Sequence, residues 1–227
     1  MGLDSLLFYL FVGIIALLFA ANIKAIPFYW HYKVYRSMYM AKRTRTVRKY
    51  ALHEPWVSKG RLLFDEADFN MHMNNSSYNK NADVNHYALF ARLGMHTLKD
   101  VRPALAGTCF HFLKSIQLFA RYKIVTQVHS FGKKWIFVSH RFEDLTGKTT
   151  YAIGLSKLVV KESSGKTIQP REVFDRLGFD VSGIDCAEYE QEGEAMLTIL
   201  EGLRQHSTKI TSSSISNTDK TVRLSHS

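Results

Sequence analysis

The fifteen residues Phe64-Asp65-Glu66-Ala67-Asp68-Phe69-Asn70-Met71-His72-Met73-Asn74-Asn75-Ser76-Ser77-Tyr78 hold three carboxylates, an imidazole and three amides. A segment that served only a core would be apolar, so this density marks a candidate site. The types present suit attack on an acyl carbon. A carboxylate can act on the carbon itself or activate a water, and hydrogen-bond donors must then hold the oxyanion that develops. The residues that follow read as a helix, whose N-terminus offers unpaired backbone N–H groups and the positive end of a dipole. Asp68 and that helix start lie a few residues apart. Each residue also has an ordinary role to set beside the chemical one. Asp68, Asn74 and Asn75 are all common as helix caps or first-turn charges, and His72 suits a hydrogen-bonded structural position.

These residues need elements to position them. Arg61–Phe69 reads as a short strand running into a turn, and Ser76–Gly94 as one long helix. Its apolar stripe, Ala82, Tyr87, Leu89, Phe90 and Leu93, is only approximate, and Gly94 is placed to end it. After Pro103 come four runs rich in β-branched and aromatic residues: Thr108–Phe119, Tyr122–Phe131, Lys133–Asp144 and Thr149–Glu162. Turn signals at Phe131-Gly132-Lys133 and Leu145-Thr146-Gly147-Lys148 make consecutive antiparallel pairing the simplest arrangement. An antiparallel sheet must bury one face, and a helix of this length covers it. The fold class expected is α+β. Residues 165–178 add a turn, a proline and an amphipathic stretch; 188–205 read as a charged helix, and the Ser/Thr-rich remainder as disordered.

The pattern Asp68-x-x-x-His72-x-Asn74-Asn75-x-x-Tyr78 resembles the D-x-x-G-H-V-N-N-x-x-Y signature of 4-hydroxybenzoyl-CoA thioesterase-like hot-dog proteins, and the order of elements to about Glu162 agrees with it. The N-terminus and Gln169-Pro170-Arg171-Glu172 look like the membrane-anchored eukaryotic thioesterase-superfamily-member branch and related fungal thioesterases, some of which accompany secondary-metabolite pathways. The resemblance implies a hot-dog fold, an antiparallel sheet wrapped around one long helix, in a homodimer or homotetramer with acyl thioester sites at subunit interfaces. It implies that Asp68 is the catalytic carboxylate, as nucleophile or as general base. Backbone N–H groups around Asn74 to Tyr78 would polarise the thioester carbonyl. His72 and Asn74 would shape the turn through side-chain hydrogen bonds, and Tyr78 would pack beneath it. Two positions depart from the pattern: Met71 stands where glycine is usual, and the upstream acid is Glu66 rather than aspartate.

Outside this region, Leu6–Ile23 is an apolar run of eighteen residues without a charge, close to the length of a membrane-crossing helix. No basic residue precedes it, which favours an uncleaved transmembrane anchor over a signal peptide. The basic residues Lys24, Lys33, Arg36, Lys42, Arg43, Arg45, Arg48 and Lys49 all follow it. The positive-inside rule then places the domain in the cytosol, with the endoplasmic reticulum a candidate membrane. Much of the net charge of +10 lies in this segment, which suits a membrane-flanking stalk facing anionic lipid rather than nucleic acid. The boundaries expected are an anchor over 1–23, a basic aromatic stalk over 24–50, the hot-dog domain over 51–182, a C-terminal helix over 183–206 and a tail over 207–227. Cys109 and Cys186 offer neither a disulfide framework nor metal-ligand spacing. His86, His96, His111, His129 and His140 are scattered and read as structural or surface residues, so neither metal nor cofactor is expected. Two other functions compete with thioester hydrolysis. A hot-dog hydratase signature, D-x-N-P-x-H, lacks its proline here and is one residue longer between Asp and His. A non-catalytic acyl-binding or scaffold protein would keep the fold without the chemistry.

Overall fold

The computed structural model describes residues 2–47 and 50–181; the expected C-terminal helix and tail, with Cys186, lie outside the described residues. The chain forms helices α1 (Leu3–Ala21) and α2 (Tyr29–Val47), strand β1 (Trp56–Arg61) and helix α3 (Asn75–Leu93). Strands β2 (Val101–Phe112), β3 (Arg121–Phe131), β4 (Trp135–Glu143), β5 (Thr150–Glu162) and β6 (Thr167–Ile168) follow, and then helix α4 (Pro170–Arg176). All strand pairs are antiparallel, in the order β1-β3-β4-β5-β2, with β6 beside the end of β5. With α3 packed on this sheet, the arrangement is the hot-dog fold.

Two strands differ from the sequence expectation. β1 ends at Arg61, and Phe64–Glu66 forms a single 3-10 turn instead of continuing the strand. β2 begins at Val101 and runs through Pro103 to Phe112, leaving 113–120 as a loop. Proline is admissible because β2 is an edge strand, and a register shift between Leu105 and Gly107 bends it.

The larger difference is α2. Instead of a free stalk, it packs along α3: Val34 and Ala41 are buried, Ala41 lies against Ala88 and Ala91, and Trp30 meets Tyr87 edge-on. Arg45 donates to the carbonyls of Arg92 and Leu93, placing a cation on the negative end of α3, just before Gly94 closes the helix at φ 97°. α3 is therefore covered on two sides. That explains its blurred stripe and its buried Ser77, Asn81, Asn85, His86 and Arg92. Asn81 and Asn85 donate to the carbonyls one turn back, Ser77 and Asn81 respectively, and Arg92 donates to the carbonyls of Glu54 and Pro55, which pairs these donors as burial requires, while Asn85 Oδ1 and His86 Nδ1 have no hydrogen-bond partner among the described residues.

Among the described residues no helix is long and apolar enough to cross a membrane. The run Leu6–Ile23 does not form one helix. It stops at Ala21, Asn22 caps it through Leu18 O, and Asp4 occupies its first turn. The uninterrupted apolar part is about 24 Å long, against about 30 Å of hydrocarbon. The expectation of a spanning anchor over 1–23 is thus without support. Leu6, Phe8, Phe11, Ile14, Leu17 and Phe19 are nevertheless all exposed.

Candidate active site

Asp68 begins a tight reversal. Met71 N–H donates to Asp68 O at 3.0 Å, and Asp68 N–H donates to His72 O at 2.8 Å. The carboxylate folds back into this turn, Oδ1 accepting from Asn70 N at 2.9 Å and His72 N at 3.0 Å. Oδ2 has no partner among the described residues. The reversal brings Met71 to φ 60°, so the position where glycine is usual keeps glycine's left-handed backbone despite its side chain. Because that conformation costs an ordinary residue about 1–2 kcal/mol, partly offset by the entropy glycine loses on folding, Met71→Gly is expected to raise stability by roughly 0.5–1 kcal/mol. Chemical denaturation measures this, and Met71 is half exposed, so little packing is lost.

The turn is held from both sides. Met73 N–H donates to Ile116 O, and Leu118 N–H to Met71 O, each at 2.9 Å, pairing it with the loop after β2. On the other side Asn74 N–H donates to Glu66 O at 2.9 Å, and Ser77 Oγ donates to the same carbonyl at 3.1 Å. Asn74 is the N-cap of α3: its Oδ1 accepts from Ser76 N at 2.9 Å and Ser76 Oγ at 2.8 Å. Ser77 N–H goes to Asn74 O. This leaves Asn75 N–H, at the first helical position, without a partner among the described residues. The donors expected anywhere from Asn74 to Tyr78 narrow to that one.

Asp68, His72, Asn75 and Tyr78 line a cleft of about 340 Å³, closed opposite by Phe112, Leu113, Lys114 and Ser115. Four of the five expected site residues thus meet in one place, and the fifth, Asn74, caps the helix beside it. His72 shapes the turn through its backbone, not through its ring as expected. Tyr78 packs beneath, with Phe142 at 4.8 Å and Phe112 at 5.0 Å between ring centroids. Burial pushes its phenol up to about 12, against the lowering effect of a backbone hydrogen bond at Ile116, so it remains neutral. The wall 113–115 was missed because the sequence continued β2 through it.

The three carboxylates separate by role. Asp68 faces the cleft. Glu66 is buried at 1% exposure and pairs with Lys24 and, at 3.9 Å, with Lys33, while Asn81 Nδ2 donates to its Oε1 at 3.2 Å. Among the described residues Asp65 has no hydrogen-bond partner for either carboxylate oxygen, and burial, then the neighbouring Glu66, raises its carboxyl above the ordinary range.

Two of the scattered histidines meet. His86 on α3 and His140 on β4 approach Nε2 to Nε2 at 2.9 Å, with Thr126 Oγ1 3.1 Å from His140 Nδ1 and Ser156 Oγ 3.1 Å from His140 Nε2. Sequence spacing carries no sign of this pair. Burial, then His86, pushes His140 well below its ordinary value of 6.5. The unfolded chain therefore takes up a proton that the folded chain refuses. Stability is complete above about pH 6.5 and falls as pH drops from there toward the folded value, by up to about 1.4 kcal/mol per pH unit. Thermal unfolding between about pH 8 and pH 5 should show this fall, and His140→Gln should flatten it. No group of three or more metal-ligating side chains occurs among the described residues.

The chain is similar to several known proteins. The Thioesterase-like superfamily model matches residues 62–177. Thioesterase poxG of Penicillium oxalicum is 24% identical over 234 residues, covering 82% of this chain and 76% of that protein. Protein THEM6 of Xenopus laevis is 30% identical over 145 residues, 62% of this chain and 69% of that one. A DHNA-CoA thioesterase structure from Staphylococcus aureus aligns at 14% identity and a TM-score of 0.47, covering 65% of this chain and 95% of its own. A sheet wrapped on one helix defines the hot-dog fold. The chain belongs to the thioesterase-like superfamily, and hydrolysis of a thioester is the reaction class this assigns.

Proposed function

We propose that the chain hydrolyses an acyl thioester, carried on coenzyme A or on a carrier protein, with Asp68 as general base. The observation that carries this reading is the meeting of the Asp68 carboxylate and the Asn75 N–H in one cleft. Asp68 takes a proton from water as the oxygen attacks the acyl carbon. The carbonyl oxygen becomes an oxyanion facing Asn75 N–H and the positive end of α3. Collapse breaks the C–S bond, and the thiolate leaves to be protonated. The products are a carboxylic acid and a free thiol.

A second copy of the chain fits the outer edge of β2, which no strand among the described residues pairs and where Leu105, Phe112 and Leu113 are exposed. Unpaired edges seek partners, and pairing there would extend the cleft wall at Phe112–Ser115, giving a homodimer or an assembly of dimers. α1 supports membrane attachment. A helix apolar on all sides needs an apolar surround, and the basic residues that follow it suit anionic headgroups on the cytosolic side. Insertion of so short a segment draws on local thinning of the bilayer or on its flanking residues.

The test is thiol release by the full chain in neutral lipid vesicles against fatty acyl, aryl and polyketide-like thioesters. Release from at least one class is the expected result. No release from any, with the protein folded, replaces the hydrolase with an acyl-binding protein.

A further inference from the structure

A second cavity, about 630 Å³, lies between α2 and β1 and shares no lining residue with the Asp68 cleft. Its wall carries Lys24, Lys33, Arg36, Lys59 and Arg61 and no carboxylate. Lys24 and Lys33 are held by one buried carboxylate, Glu66. The side chains of Arg36, Lys59 and Arg61 have no hydrogen bond or ion pair among the described residues. Three cations without an anion therefore border one cavity. Burial lowers the ammonium of Lys33 below its ordinary range, although Glu66 opposes the shift, so an added negative charge there would be stabilising. The rest of the wall is of another kind: Trp56, Met40, Tyr29 and Tyr32 supply aromatic and apolar surface. A site with both characters suits an amphiphile, not a bare ion.

The position of the cavity bears on the source. Lys24, on its wall, comes three residues after the end of α1, whose apolar side chains are exposed. If α1 enters lipid, as proposed above, the mouth of the cavity sits at headgroup level.

We propose that this cavity binds the phosphate group of an amphiphilic ligand, held by Arg36, Lys59 and Arg61, with the adjoining apolar part against Trp56 and Met40. Two sources share that chemistry: an anionic phospholipid head and the phosphates of a coenzyme-bound thioester.

Titration calorimetry on the full chain in neutral detergent tests this with three probes: dihexanoyl phosphatidic acid, dihexanoyl phosphatidylcholine and coenzyme A. The parent is expected to bind a phosphate-monoester probe more tightly than the zwitterion, and less tightly as salt rises. The triple variant Arg36→Gln, Lys59→Gln, Arg61→Gln should lose roughly a hundredfold in that affinity. All three residues are exposed, so the variant should fold, and its thermal midpoint checks this. A preference for phosphatidic acid assigns the site to membrane lipid, and a preference for coenzyme A to the substrate's carrier. Binding of neither phosphate probe, or binding that the triple variant leaves unchanged, overturns the proposal. The readout does not involve turnover, so failure of the hydrolase reading would leave this result standing, and failure here would leave thiol release untouched.

Discussion

Asp68→Asn is expected to slow thioester turnover by about a hundredfold or more, the size of a positioned acid–base group, with the fold intact. The substitution is well suited to separate chemistry from structure. Oδ1 of Asp68 accepts from Asn70 N and His72 N, and the amide oxygen of asparagine can accept both. What disappears is the charge and basicity of the carboxylate, whose other oxygen has no partner among the described residues. Thiol release and thermal unfolding of the same preparation decide the matter. A slow, stable variant makes Asp68 the base. A variant as fast as the parent makes it a turn-forming residue whose carboxylate the reaction does not use.

Glu66→Ala is expected to cost about 3 kcal/mol of stability or more, the range for breaking a buried ion pair from one side. The side chains involved are little exposed: 1% for Glu66, 11% for Lys24 and 23% for Lys33. Removing the carboxylate leaves both ammonium groups poorly solvated and takes the acceptor from Asn81 Nδ2. Glu66→Gln should cost less, since its one amide oxygen still accepts from either Lys24 or Asn81. Urea unfolding of the two variants orders them; equal stability to the parent would mean that the pair contributes nothing net. Because the backbone carbonyl of Glu66 holds Asn74 N–H and Ser77 Oγ, turnover should fall in parallel with stability.

The parts of the site that could be read from the sequence are those built from near neighbours. The Asp68 turn and the Asn74 cap close over two to four residues, so residue type and spacing determine them. The hairpins β3-β4 and β4-β5 were legible for the same reason, because each joins consecutive runs, whereas β2, expected to pair with β3, pairs with β5 instead. The remainder depends on contacts distant in sequence. Lys24 and Glu66 are 42 residues apart, and His86 and His140 are 54 apart. No local pattern distinguishes those residues from surface lysines and scattered histidines. α2 was misread for a related reason: its basic, aromatic composition describes the exposed face, while the small residues that pack, such as Ala41 against Ala88 and Ala91, carry little signal. Met71 shows the converse. Glycine is missing there, but the flanking hydrogen bonds impose the left-handed backbone on methionine as well.

The docking of α2 on α3 also sets where the chain can be shortened. A fragment starting at Tyr50, the obvious cut ahead of the first strand, would strip the cover from Ala88 and Ala91, leave the last carbonyls of α3 without Arg45 and isolate Glu66 from both lysines. A truncation that keeps these contacts therefore begins at the turn before Lys24 and removes α1 alone.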